Sequence, residues 1–213
     1  MKNNTIVCIS RECGCCGREI GQRLASIHNI PFYDKQQVME AVNKSGIGKE
    51  IFEAIDNQNV NSLLFALANK FNGTIGGKYS ASGTVSMTDR IFVIINEFIK
   101  DIASKGSCVI LGRCADDILS DYNNVVKIFI YADLEERTKV VMKRENVNEK
   151  TAKKIIKNTD RNRSAYYHYY TGETWGKRDR YDLIINSGLL GVDGTLDIIN
   201  SFVTKFDDLS TEK

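Results

Sequence analysis

Ser10-Arg11-Glu12-Cys13-Gly14-Cys15-Cys16-Gly17-Arg18-Glu19-Ile20-Gly21 is the stretch that decides the fold. Ahead of it, Thr5-Ile6-Val7-Cys8-Ile9 reads as a buried strand. Behind it, Ile20, Leu24 and Ile27, with Ala25, recur like one face of a helix. Strand, glycine-bearing loop and helix is the layout of a phosphate-binding loop. There the amides of the loop and of the first helical turn aim together at an anion. The plainer alternative is an ordinary glycine turn joining a strand to a helix.

Set against G-x-x-x-x-G-K-[ST], with Gly17 on the last glycine, Arg18 takes the lysine's place. Glu19 takes that of the hydroxyl residue, and Glu12 that of the first glycine. A guanidinium can grip two phosphate oxygens at once. A carboxylate can reach Mg²⁺ directly or through water. Gly14, Cys15, Cys16, Gly17, Arg18 and Glu19 are the expected phosphate-contact set.

Further along, short apolar strands are expected at 107–111, 125–131 and 181–186, with Pro31-Phe32-Tyr33-Asp34 following the first helix. Helices are expected from 35 to 42, around Ile51, Phe52 and Ile55, and over 60–71. Others are expected over 91–103, 134–144, 148–170 and 196–206. A Gly/Ser/Thr-rich loop is expected over 72–86. Strands alternating with helices predict a parallel sheet covered on both faces. Ligands of such sheets lie beyond the carboxyl ends of the strands. Residues 11–18, Asp34 and Gly112-Arg113 all fall at such ends.

The 213 residues suffice for one domain, and the net charge of +2 gives no general attraction for nucleic acid or membrane. No apolar run nears the ~20 residues that span a bilayer, and no signal-peptide core follows Met1, so a cytoplasmic protein is expected. Of the six cysteines, Cys8 and Cys108 suit buried strands. Cys13, Cys15 and Cys16 crowd the loop without paired metal-ligand spacing. Thiols at a helix N-terminus are candidates for a lowered pKa and for oxidation.

Several stretches together resemble the cytidylate kinase-like family. They are Ile9-Ser10-Arg11-Glu12, Gly17-Arg18-Glu19-Ile20-Gly21, Ile30-Pro31-Phe32-Tyr33-Asp34-Lys35, Leu111-Gly112-Arg113-Cys114-Ala115-Asp116, Val126-Lys127-Ile128-Phe129-Ile130-Tyr131-Ala132 with Glu135-Glu136-Arg137, Asp160-Arg161-Asn162-Arg163, and Ala165-Tyr166-Tyr167-His168-Tyr169-Tyr170-Thr171-Gly172. The resemblance implies a three-layer α/β P-loop kinase fold with a parallel sheet, as a single domain over 1–213. It implies a helical acceptor-binding insert over about 35–105 and a lid over about 146–178. It implies ATP as phosphoryl donor with Mg²⁺, and small-molecule nucleotides, CMP or dCMP first, as acceptors. Arg18, Arg161 and Arg163 are then the catalytic candidates. Asp34, Arg90, Arg113, Asp160 and Arg163 are the acceptor-binding ones. The chain departs from cytidylate kinases in placing Leu111 and Cys114 where that family has acids, Arg11 where it has an acid before the loop, and Glu40 where it has a base. Glu12, Glu19, Asp116 and Asp117 are the acids available as replacements.

Two other readings stay open. One is a nucleotide-binding regulator without turnover. The other is RNA binding by the basic run Lys143, Arg144, Lys150, Lys153, Lys154, Lys157, Arg161 and Arg163, which also suits a solvated helix face and, as the favoured reading, a lid that closes over phosphate. The tyrosines at 166, 167, 169 and 170 suit either packing of the lid helix or base stacking. Asp34 suits either an acceptor contact or a helix N-cap.

Overall fold

The computed structural model describes residue 1, residues 4–44 and residues 87–209. The opening strand is β1 (Ile6–Arg11), and it lies at the centre of the sheet because both its faces are apolar. Val7 and Ile9 turn to one face, Ile6 and Cys8 to the other. After the loop comes α1 (Gly17–Ile27), then the two-residue β2 (Phe32–Tyr33) and α2 (Lys35–Lys44). Beyond residue 86 come α3 (Met87–Ser104), β3 (Cys108–Leu111) and the short α4 (Ala115–Ile118). Then follow β4 (Val125–Tyr131), α5 (Leu134–Glu145), α6 (Glu149–Thr171), a 3₁₀ turn (Arg178–Arg180), β5 (Leu183–Asn186) and α7 (Ser187–Leu209).

The five strands run parallel in the order β2-β3-β1-β4-β5. Ile6 to Ile9 face Cys108 to Leu111 on one side, and Ile6 to Arg11 face Val125 to Ile130 on the other. The chain leaves β1 toward β2 and later leaves β4 toward β5, so the order reverses at β1. That reversal opens a crevice beyond the carboxyl ends of β1 and its neighbours.

Each face of the sheet is covered. α1 and α7 bury Ile20, Leu24, Ile199 and Val203 against Val7, Ile9, Val126 and Ile128. α3, α4 and the residue just after α4 bury Ile95, Ile99, Ala115 and Leu119 against Ile6, Cys8 and Ile110. Each such fully buried side chain stabilises the fold by ~1.5–3 kcal/mol. A smaller cluster of Cys13, Val141, Ala152 and Ile156 fastens α5 and α6 beside the loop.

Most expected elements are present, with shifted ends. β1 extends two residues past Ile9, because Ser10 and Arg11 continue the ladder with β4. α7 starts at Ser187 rather than 196, and is broken at Gly191, whose φ of 64° only glycine adopts readily. Ile27, expected on the apolar face of α1, is 55% exposed, since the helix ends beyond the sheet's cover. α4 and the 3₁₀ turn carry no periodicity that the sequence reading could find. The helices expected around Ile51 and over 60–71, the loop over 72–86, and much of the expected 35–105 insert lie outside the described residues. None of the described helices is long and apolar enough to cross a membrane.

Candidate active site

Gly14 (φ 87°) and Cys16 (φ 58°) coil the loop, and Cys16 enters α1 without giving a side-chain cap. The first amides of α1 therefore keep their donors pointed outward, with the helix dipole behind them. A Cβ on Gly14 would stand 2.7 Å from the Arg137 carbonyl oxygen, so α5 presses directly on the loop. A second coil closes β3. Gly112, Arg113 and Cys114 have φ of 75°, 60° and 57° in succession. Two non-glycine residues in this region cost ~1–2 kcal/mol each, and such strain gathers at functional turns. Ala115 N donates to Gly112 O at 3.2 Å and holds the turn in place.

These two coils and α6 bring three arginines together. Arg11 lies across the crevice from Gly17 to Gly112. Arg163, on α6, donates from Nη1 to the Arg11 carbonyl oxygen at 2.8 Å. Arg113 sits with its guanidinium carbon 6.0 Å from the centroid of the Tyr166 ring. Burial, and then the neighbouring charges of Arg163 and Arg113, pull Arg11 from 12.5 to about 9.

The loop is tied to α6 by carboxylates. Asp160 accepts from Cys13 N at 2.7 Å and from Arg137 Nη1 at 2.5 Å. Arg137 Nε lies 3.3 Å from Glu12 Oε2, and Glu12 also accepts from Ala132 N at 3.3 Å. Burial raises the Glu12 carboxyl against the pull of Arg137.

The expected site residues are placed as follows. Gly14, Cys15 and Cys16 lie in the loop, while Gly17, Arg18 and Glu19 open α1. Arg18 reaches Asp34 rather than the loop, with Nε to Oδ2 at 2.8 Å and Nη2 to Oδ2 at 2.7 Å. Asp34 is 5% exposed. It also accepts from Gln36 N at 2.8 Å, while Gln37 accepts from Asp34 N at 3.0 Å, a reciprocal cap on α2. Arg163 lies 3.8 Å from Asp160 Oδ1 on the same helix, and Arg113 lies beside the Tyr166 ring. Arg161 is exposed on another side of α6. Arg90 lies in the first turn of α3, and its side chain falls outside the described set. Arg11 and Arg137 were not among the sequence candidates. Arg11 showed only as a departure at a strand end. Arg137 lies in a helical stretch whose partners, Glu12 and Asp160, are distant in sequence.

The thiols behave differently from the expectation of lowered pKa. Cys15 donates toward Glu12 O at 3.2 Å and Ile130 O at 3.3 Å, and burial pushes it up to about 12. Burial raises Cys16 as well. The helix dipole is outweighed by desolvation, so neither is an activated thiolate.

Two members of the basic run, Arg144 and Lys153, pair locally, as does Lys139 just ahead of it. Lys139 meets Glu136 at 2.7 Å, Lys153 meets Glu149 at 2.5 Å, and Arg144 meets Glu145 at 2.8 Å. The tyrosines pack α6 on α3, with Tyr170 stacked on Phe92 at 3.8 Å and 10°. Tyr167 donates to Asp116 Oδ2 at 2.7 Å.

Asp116 is 3% exposed, and burial raises its carboxyl above the ordinary 3.8. A carboxyl raised in the folded state contributes stability that is full below the unfolded pKa and is lost as pH rises through the folded one. Asp116→Asn, which keeps an oxygen for Tyr167, is expected to remove that decline. Melting temperatures from pH 3.5 upward, taken in ~0.5-unit steps, check it. An unchanged profile would refute the assignment.

Among the described residues, no three His, Cys, Asp or Glu side chains gather as a metal cage. Mg²⁺ that arrives with a nucleotide needs only one or two carboxylates. Glu12 is held by Arg137, Asp116 by Tyr167, and Asp117 by Arg180. Glu19, in the first turn of α1, has only a 4.0 Å contact with Arg23, so it fits that part best.

A model of the cytidylate kinase-like family matches residues 6–189. Among solved structures, an uncharacterized protein from Eubacterium ventriosum ATCC 27560 is 32% identical. The match covers 95% of this chain and 99% of that one, with a TM-score of 0.72. More distant are a shikimate kinase from Bacteroides thetaiotaomicron (11% identical, 94% and 98% covered, TM-score 0.48) and a gluconokinase from Sinorhizobium meliloti 1021 (11%, 100% and 96%, 0.47). A search of curated proteins found no match.

Proposed function

The chain belongs to the cytidylate kinase-like family, and from that premise we propose that it transfers the γ-phosphoryl group of ATP to a nucleoside monophosphate, CMP or dCMP being the first candidates. The observation that carries the reading is the convergence at one crevice of the uncapped start of α1 with Arg11, Arg113 and Arg163. Phosphoryl transfer asks a protein for positioning and charge compensation, and this arrangement supplies both.

In this reading the amides of Gly14 to Glu19 hold the donor's phosphates. Arg113 and Arg163 orient the acceptor phosphate, one oxygen of which forms the new bond to the γ-phosphorus as the β–γ bridging bond breaks. The products are ADP and the nucleoside diphosphate. α6 serves as the lid that excludes water, with Asp160 latching it to the loop. Glu19, at the start of α1, would meet the Mg²⁺ that comes with ATP, and that ion would supply charge compensation for the phosphates. Arg18 and Asp34 sit at the acceptor end as an ion pair.

A coupled assay of ADP formation over the nucleoside monophosphates tests this directly, with turnover expected for at least one cytidine nucleotide. Absence of ADP with every acceptor, under conditions where ATP binds, would end the proposal.

The alternative is a nucleotide-binding regulator. It is favoured by Leu111 and Cys114, which offer no metal ligand at β3, and by Asp160, whose carboxylate already occupies the Cys13 amide. It requires ATP binding that is insensitive to Mg²⁺, a property read by titration with and without the metal.

A further inference from the structure

Arg11 leaves β1 and passes Gly17 so closely that a Cβ there would stand 2.9 Å from Arg11 Cβ and 3.0 Å from its Cγ. It ends against Gly112, where a Cβ would collide with Nη1. Glycine at both positions leaves the passage this side chain occupies. Among the described residues, its guanidinium makes no hydrogen bond and no ion pair. Of the groups around it Arg163 acts most strongly, then Cys15 in the opposite sense, then Arg113, and Asp34 contributes less. A mostly buried fork of five N–H donors, crowded by two like charges, is unfavourable on its own. An anion that accepts from all three arginines reverses the sign of that interaction.

We infer that Arg11 is itself a phosphate-binding residue, and that with Arg113 and Arg163 it clamps a tetrahedral dianion between the loop and the end of β3. The inference rests on reading this crevice as a phosphoryl-transfer site, and it names the group that bridges donor and acceptor. Its shape follows from the geometry. Arg11 approaches from β1, Arg113 from the turn after β3, and Arg163 from α6. Three donors on three elements match the three outer oxygens of a phosphoryl group. A carboxylate offers only two oxygens in one plane.

The test uses the full chain and inorganic phosphate, with pyrophosphate as a second probe, in phosphate-free buffer. Titration calorimetry and thermal melts are run on the wild type, Arg11→Met and Arg11→Lys. The wild type is expected to bind phosphate and to melt higher in its presence. Arg11→Met is expected to bind about ten- to a hundredfold more weakly. Without phosphate it should melt no lower than the wild type, because a crowded buried charge has been removed.

Wild-type phosphate affinity in Arg11→Met would overturn the clamp, as would a wild type that ignores phosphate. Should Arg11→Met fail to fold, Arg11→Lys carries the test. A point charge in place of the fork is expected to weaken binding at least about threefold, and unchanged affinity overturns the proposal. ADP formation is measured separately. Absent turnover with Arg11-dependent phosphate binding sinks only the kinase reading. Turnover with phosphate binding indifferent to Arg11 sinks only the clamp.

Discussion

Arg163→Ala is expected to lower kcat/KM for phosphoryl transfer by roughly a hundredfold, about 2.7 kcal/mol of transition-state stabilisation. Arg163 projects from α6 with its guanidinium 2.8 Å from the Arg11 carbonyl and 3.8 Å from Asp160 Oδ1. Its removal takes one cation from the crevice and one strut between α6 and β1. A charge-assisted contact of this kind is worth ~1.5–3 kcal/mol. The side chain is 29% exposed, so most of the loss should fall on chemistry rather than folding. The melting temperature is expected to drop only by ~2–4 °C, equivalent to about 1 kcal/mol in a chain of this size. The amides of the loop remain, so ATP affinity should change much less than turnover. Initial rates and a melt on the same preparation check both halves. A fall in kcat/KM below ~threefold would remove Arg163 from the reacting group's surroundings.

Arg137→Met is expected to be the most destabilising single change, at about 3 kcal/mol, which corresponds to ~6–12 °C in melting temperature. Arg137 is 12% exposed and faces two carboxylates, Asp160 at 2.5 Å and Glu12 at 3.3 Å. Taking away the cation leaves both acids in a poorly hydrated place, and methionine recovers only the packing of the stem. The pH dependence gives the change a signature. Glu12 is already raised by burial, with Arg137 opposing. Without Arg137 it rises further, so protonation relieves more of the cost at low pH. The deficit in stability is therefore expected to shrink between pH 7 and pH ~4. A deficit that is constant over that interval would point to packing alone.

The sequence carried the frame well because the frame depends on local pattern. Val125–Tyr131 is β-branched or aromatic at every position but Lys127, and its strand has the expected ends. Leu134–Glu145 and Glu149–Thr171 end within a residue of expectation, since Asn148 caps the start of α6 through Thr151 N at 2.9 Å and Gly172 closes its end with φ 73°. The glycines of the first loop marked the turn between β1 and α1 for the same reason.

What stayed hidden depends on residues far apart. Nothing near Arg137 announces Glu12 or Asp160 as partners. Nothing near Arg18 announces that Asp34 would take it. The left-handed run at Gly112, Arg113 and Cys114 was equally unreadable, because side-chain-bearing residues adopt that conformation only when the surrounding structure compels it. Lowered thiol pKa values failed as an expectation because burial of Cys15, invisible in sequence, outweighs the helix end.

The central place of β1 has a consequence for how the polypeptide is made. Its neighbours are Cys108–Leu111 and Val125–Tyr131, so β1 has no companion during synthesis until about a hundred further residues follow. At ~5–20 residues per second that wait lasts roughly 5–20 s. Throughout it, Ile6, Val7, Cys8 and Ile9 are an unpaired apolar ribbon, the kind of segment that chaperones shield. The same long-range pairing raises the entropic cost of the folding nucleus, and refolding slower than that of a helical bundle of equal length is its expected counterpart in the test tube.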